Sequence, residues 1–195
     1  MNTLIRRFRV RTVVDLGTGP ARIAKYLTGF ERGYAVDQSR PMLSLAQKEL
    51  QVFRVDRFWT VLQQNAFRLR LPVQVDLILC FKVIRHYPLH ERKKLYARIY
   101  RALKKKGLFV LDVPNTALYR TQHSLVYDVS WTKDEIVKEL RQAGFRVLLM
   151  KPLVHHFFLQ SKISGLCRFG MYSLPYFLIW LLDRFSFSQP YEWIL

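Results

Sequence analysis

Gly17 and Gly19 stand at the end of an apolar run, Val13-Val14-Asp15-Leu16, and about twenty residues beyond Gly17 an acid, Asp37, closes a second apolar run, Tyr34-Ala35-Val36. Glycines take backbone angles closed to other residues, and without a Cβ they let a ligand lie against the main chain. A helix beginning Ile23-Ala24-Lys25-Tyr26-Leu27 is expected to follow and to point its unpaired N–H groups at that ligand. The distance to Asp37 suits a carboxylate that accepts hydrogen bonds from two ribose hydroxyls. The chemistry in view is therefore nucleoside binding. A nicotinamide or flavin site would want a third glycine where Arg22 stands, for close helix–strand packing beside a pyrophosphate. Arg22 is too bulky for that role, and a cofactor without phosphate is the better reading.

These residues belong to a longer series. Asp15-Leu16-Gly17-Thr18-Gly19 and Val36-Asp37-Gln38-Ser39 with Met42-Leu43 are followed by Gln64-Asn65-Ala66 with Leu71-Pro72, by Val75-Asp76-Leu77-Ile78-Leu79-Cys80, and by Leu103-Lys104-Lys105-Lys106-Gly107-Leu108-Phe109-Val110. On these segments, in this order over roughly residues 11–151, the chain resembles the class I S-adenosylmethionine-dependent methyltransferases. The resemblance implies an enzyme, a methyltransferase, with S-adenosyl-L-methionine as cofactor. It places the methionine part at Asp15, Gly17, Thr18 and Gly19, and the ribose at Asp37, with Gln38 and Met42 beside it. It puts Asn65 and Ala66 against the adenine, and the end of the fourth strand, at Cys80, facing the methyl group. The chain also departs from the family: Ala21 stands where a third glycine often falls, and Asn65 where an acid often meets the adenine amino group. The Asn65 amide oxygen can still accept that bond, without the charge that would strengthen it.

Methyl transfer to a hydroxyl also needs a base, and a positioned histidine is the commonest one. His86, in Phe81-Lys82-Val83-Ile84-Arg85-His86-Tyr87-Pro88, follows the fourth strand and is the first candidate; His123, after the fifth strand, is the second. No metal site is expected, because His155 and His156 are adjacent and point apart on a strand, and Cys80 and Cys167 have no metal-ligand spacing. Nothing matches the N/D-P-P-Y/F signature of amino-group methylation on nucleobases or glutamine, which argues against those substrates without identifying another; the acceptor expected is a small molecule, methylated at oxygen.

The elements that must position these residues alternate between strand and helix, which implies a Rossmann-like, mostly parallel α/β sheet with helices on both faces. Strands are expected at about 12–16, 33–37, 58–63, 75–81, 108–113 and 145–150. A helix opens at Pro41; an amphipathic helix runs from Leu89 to Lys105, its lysine-rich end complementing the helix dipole and Gly107 ending it. Thr132 and Glu135 read as a capping box, with Gly144 closing that helix. Tyr191 to Leu195 resembles the start of the antiparallel last strand of this fold, and the first strand begins too early for the helices that commonly precede it. Either the fold is shortened at both ends or the sequence is a fragment. Because those helices often help cover the cofactor, a catalytically silent binding protein of the same fold stays open beside the enzyme.

One domain, 1–195, is expected, with residues 152–190 an aromatic-rich helical insert between the last two strands. The formal net charge is +18. Such a charge attracts nucleic acid or anionic lipid, so an RNA-directed methyltransferase is an alternative. The cations are spread over helix faces, however, rather than clustered. The insert, with Lys162, Arg168 and Arg184 among its aromatics, suits a lipid-like or glycosylated acceptor or peripheral membrane contact. No stretch reaches the roughly 18 apolar residues of a spanning helix. With no leader segment evident, a cytoplasmic location is the default expectation.

Overall fold

The computed structural model describes residues 1–116, 129–154 and 192–195. His123, His155, His156, Cys167 and nearly all of the aromatic insert lie outside the described residues. The apolar runs form strands β1 (Thr12–Leu16), β2 (Arg32–Asp37), β3 (Trp59–Gln63), β4 (Val75–Cys80), β5 (Leu103–Pro114), β6 (Lys151–Val154) and β7 (Glu192–Ile194). They build a 7-stranded sheet in the order β3-β2-β1-β4-β5-β7-β6. β1 pairs parallel with β2 and β4, β2 with β3, and β4 with β5, while β7 runs antiparallel to both β5 and β6.

Strand side chains alternate between faces, and the sheet is apolar on both. One face carries Val14, Leu16, Ile78, Cys80, Leu111 and Val113 against helices α3 (Leu89–Ala102) and α4 (Lys133–Gln142). The other carries Val13, Ala35, Leu77, Leu79 and Val110 against α1 (Asn2–Arg7) and α2 (Arg40–Val52). α2 begins at an N-cap, Ser39, with Pro41 in its first turn, and α4 begins at the Thr132–Glu135 capping box.

Four expectations are corrected. The glycine turn does not lead into a full helix: Ala21 takes a left-handed φ of 56° and Leu27 is extended, leaving only a 3-10 turn at Ala24–Tyr26. A helix does precede β1, because Ile5 of α1 is buried and Asn2 ties α1 to the turn, donating to the Tyr26 carbonyl at 3.0 Å and accepting from the Thr28 N–H at 3.1 Å. The lysine run belongs to β5 and not to a helix end. Leu103 pairs with Val75 and Leu108 with Leu77, so Lys104 to Gly107 form a bulge, held by Lys104 Nζ at 2.8 Å from Asp76 Oδ1. Finally, Phe145 to Met150 form no strand; pairing with β7 begins at Lys151. Phe145 is instead drawn to Tyr100 of α3, ring centroids 5.5 Å apart.

α3 and α4 are joined by a buried polar network. Arg92 grips Glu139 with two bonds of 2.7 Å, Tyr96 donates its hydroxyl to the same carboxylate at 2.7 Å, and the Trp131 indole N–H donates at 3.0 Å. Burial pushes Glu139 upward, but the hydrogen bonds from Arg92, Trp131 and Tyr96 outweigh it and hold its carboxyl below the usual carboxylate range. Its pairing therefore stabilises the fold above the ordinary glutamate pKa, and that contribution is lost as pH falls through the depressed value. Glu139→Ala leaves the Arg92 charge buried without its partner and is expected to cost about 3–5 kcal/mol in urea unfolding; a loss under about 1 kcal/mol would contradict this reading.

Candidate functional site

The carboxyl ends of β1, β2 and β4 meet where the strand order reverses, the place where open α/β sheets bind ligands. A cleft of about 250 Å³ lies there, lined by Leu16, Gly17, Val36, Asp37, Gln38, Gln64, Ala66, Phe81, Lys82, Val83, His86 and Tyr87.

Its organising group is Asp37. Oδ2 accepts from the Gly19 N–H at 3.0 Å, and Oδ1 accepts from the Ser39 N–H at 2.8 Å. One carboxylate therefore joins the glycine turn to the first turn of α2. Each oxygen keeps lone-pair capacity beyond those bonds. The Gly17 and Thr18 N–H groups are spent on the Val36 carbonyl, which ties the turn to β2 from the other side. The two glycines do different work. A Cβ at Gly17 would lie 2.4 Å from Val83 Cγ2, so this glycine lets the segment after β4 pack onto the turn. A Cβ at Gly19, where φ is 53°, would meet nothing within 4 Å. Gly19 itself does not line the cleft, and the space above it is open.

Asp15 and Thr18 sit beneath the turn rather than in the cleft. Both are buried, and Thr18 Oγ1 donates to Asp15 Oδ2 at 2.7 Å. Burial, with the nearby Asp37 charge, raises the Asp15 pKa to about 6 against the hydrogen bonds from Thr18 and the Ala24 backbone. Cys80 is fully buried in the core under α3 and does not line the cleft; burial pushes its thiol well above the ordinary value, leaving it inert. Met42 is exposed on α2 and also lies outside the cleft lining. Asn65 uses its Oδ1 to accept from the Phe67 N–H at 2.9 Å and donates its amide to Gln38 Oε1 at 3.2 Å. That amide oxygen thus caps a turn, and Gln64 and Ala66 carry this segment's contribution to the cleft.

His86, exposed at the end of the turn Ile84–His86, lines the cleft beside Tyr87, whose ring stands edge-on to Phe67 at 4.9 Å. Two buried groups that the sequence reading missed fix this segment. Asp112 accepts from the Lys82 N–H at 2.6 Å and from Arg85 Nη2 at 3.2 Å, and Arg92 donates to the Tyr87 carbonyl at 2.7 Å. Lys82 itself takes a left-handed φ of 57°. An acid near the end of β5 was visible in Leu111-Asp112-Val113, but only the pairing of β4 with β5 shows what it holds. No cluster of metal-ligating side chains occurs among the described residues.

Comparison with known proteins places the domain and its fold. A family model described as "Methyltransferase domain" matches residues 14–111. Among solved structures, an S-adenosylmethionine-dependent methyltransferase of Clostridium acetobutylicum superposes with a TM-score of 0.66 at 16% identity, over 77% of this chain and 80% of that one. Magnesium protoporphyrin IX methyltransferase of Synechocystis, with bound SAH, gives 0.63 at 21%, over 74% and 68%. A glycopeptide N-methyltransferase complexed with S-adenosyl-L-methionine gives 0.62 at 19%, over 73% and 79%. Two other similar methyltransferase structures are longer, and the chain spans 47% and 50% of them. At these identities the structures show a shared fold. No curated protein matches the chain in sequence.

The raised Asp15 pKa has a consequence for stability. An acid favoured in its protonated form by folding stabilises fully below its unfolded value of 3.8, and that contribution is lost as pH rises through about 6. Across that window the loss is up to about 3 kcal/mol. Asp15→Asn, which keeps an acceptor for Thr18, is expected to flatten this part of the stability profile in urea unfolding from pH 4 to 8. An unchanged slope would show that Asp15 titrates normally.

Proposed function

The chain belongs to the class I S-adenosylmethionine-dependent methyltransferase family, and from that premise we propose that it methylates a small-molecule acceptor at oxygen. The observation that carries the binding half of this reading is the joint grip of Asp37 on Gly19 and Ser39 beside the open space above Gly19. In the proposed arrangement the spare lone pairs of Asp37 take the ribose hydroxyls, Gln38 and Ala66 flank the adenine, and the methionine tail lies over the turn at Gly19. When bound, S-adenosylmethionine supplies an electrophilic methyl group on a positively charged sulfur.

The chain's own part is alignment and proton removal. Phe81, Lys82, Val83, His86 and Tyr87 wall the cleft on the side away from β2 and β3, so the acceptor enters there. His86 takes the proton of the acceptor hydroxyl onto an imidazole nitrogen, which frees an oxygen lone pair for the methyl carbon. The Asp112 and Arg92 bonds to Lys82, Arg85 and Tyr87 keep this wall in place. An amphiphilic acceptor agrees with the aromatic composition of the insert between β6 and β7.

Calorimetry with S-adenosylhomocysteine tests the binding half. The wild-type chain is expected to bind, and Asp37→Ala to weaken binding by about 1.5–3 kcal/mol. Gly19→Ala, whose Cβ meets no atom within 4 Å but is strained at a φ of 53°, is expected to weaken binding as well, with thermal unfolding checking that the fold is kept. Affinity unchanged by both substitutions would refute the placement. For the chemical half, His86→Ala is expected to lower turnover of labelled methyl groups about 10²- to 10⁴-fold with cofactor affinity unchanged. Undiminished turnover would remove His86 as the base.

A further inference from the structure

α2 turns Leu43, Ala46 and Leu50 into the core, yet a second apolar set faces water. Met42, Leu45, Val52 and Phe53 are 42%, 47%, 75% and 40% exposed. At 3.6 residues per turn these four fall within a sector about 100° wide, so they form one stripe along the helix rather than scattered contacts. Tyr26, 59% exposed, extends the stripe sideways: its ring meets Phe53 edge-on, centroids 5.2 Å apart. The acid within the stripe, Glu49, is neutralised by Lys25 at 2.6 Å, and Lys25 also lies 4.6 Å from the Phe53 ring centroid.

Cations surround this stripe. α1 is bolted to Tyr26 and Thr28 through Asn2, and its last turn exposes Arg6 and Arg7. Lys48 on α2, and Arg54 and Arg57 just beyond it, are also exposed. An exposed apolar stripe bridged by a neutralised ion pair marks an interaction surface, and aliphatic and aromatic side chains bordered by Lys and Arg fit the interface of an anionic bilayer. We propose that α1, the Ala24–Tyr26 turn and the outer face of α2 dock on an anionic phospholipid surface. The net charge of +18 supplies long-range attraction, and Leu45, Val52, Phe53 and Tyr26 enter the headgroup boundary. RNA fits less well, because Leu45 and Val52 offer nothing to a phosphate backbone and the two rings stand at 83° to one another. The inference goes beyond methyl transfer and does not rest on it.

The test is co-sedimentation of the full chain with vesicles of phosphatidylcholine, alone or with about 30% phosphatidylserine. Binding is expected only to the anionic vesicles, and is expected to fall about tenfold in Val52→Glu and to weaken in Leu45→Gln. Both positions are on the surface, so thermal unfolding and S-adenosylhomocysteine affinity are expected to stay as in the wild type; loss of that affinity alone would count against the methyltransferase site and not against docking. The proposal is overturned by equal binding to both vesicle types, by no binding, or by undiminished binding of both variants. It is overturned equally if a single-stranded RNA oligonucleotide binds through these residues while vesicles are ignored.

Discussion

The bond between the Asp37 carboxylate and the Gly19 N–H is the constraint on which the site depends. A glycine turn at the end of β1 is free to take many shapes, and its freedom is a cost that something must offset. Asp37 removes that freedom from one side and the Val36 carbonyl from the other. Because Asp37 also caps onto Ser39, the same group sets where α2 begins. Folding the turn and shaping the cleft are thus one event, in which backbone donors fix the orientation of the carboxylate.

Other buried or half-buried carboxylates repeat this device around the sheet. At its amino-terminal end Asp76 accepts from the Arg11 and Thr12 N–H groups, the Thr12 hydroxyl and Lys104. At its carboxyl end Asp112 holds the segment from Lys82 to Arg85, which walls the cleft on the side away from β2 and β3. Glu139 locks α3 to α4 and, through Arg92, reaches the carbonyl of Tyr87. A buried acid is costly unless every oxygen is satisfied, so each of these groups specifies a single arrangement of the chain around it. Asp15 differs, with burial winning over its hydrogen bonds; it shapes the turn at some expense of stability near neutral pH.

What could be read in the sequence was local. The alternation of apolar residues, the turn at Gly17 and Gly19, the acid at Asp37 and the Thr132–Glu135 cap are short-range patterns, and the structure places them as elements in the expected order. The misplacements arose where distant partners decide. The lysine run obeyed a helix-dipole argument, yet Asp76 and the pairing of Leu103 with Val75 draw it into a strand. Ala21, in a left-handed conformation that its residue type gives no hint of, cuts short the helix after the glycine turn. Asn65 was read for its amide oxygen, but the backbone of the next turn claims that atom first. The Arg92–Glu139 pair joins residues from separate helices, and no spacing rule reaches across that gap. Gly17, Asp37 and Gln38, which line the cleft, were legible because they cluster in one turn and one strand end; what holds the wall from Phe81 to Tyr87 was not, because Asp112 and Arg92 act on it from other elements.

The account stands or falls on where the nucleoside tail lies. A nitrogen-15 NMR titration of the full chain with S-adenosylhomocysteine reads this directly through the backbone amides. The account predicts that the Gly19 and Ser39 amides, both hydrogen-bonded to Asp37, shift together and saturate at one affinity, while Glu139 and its neighbours on α4 stay unmoved. Saturation without movement of Gly19 and Ser39, or movement confined to a face remote from Asp37, would contradict it.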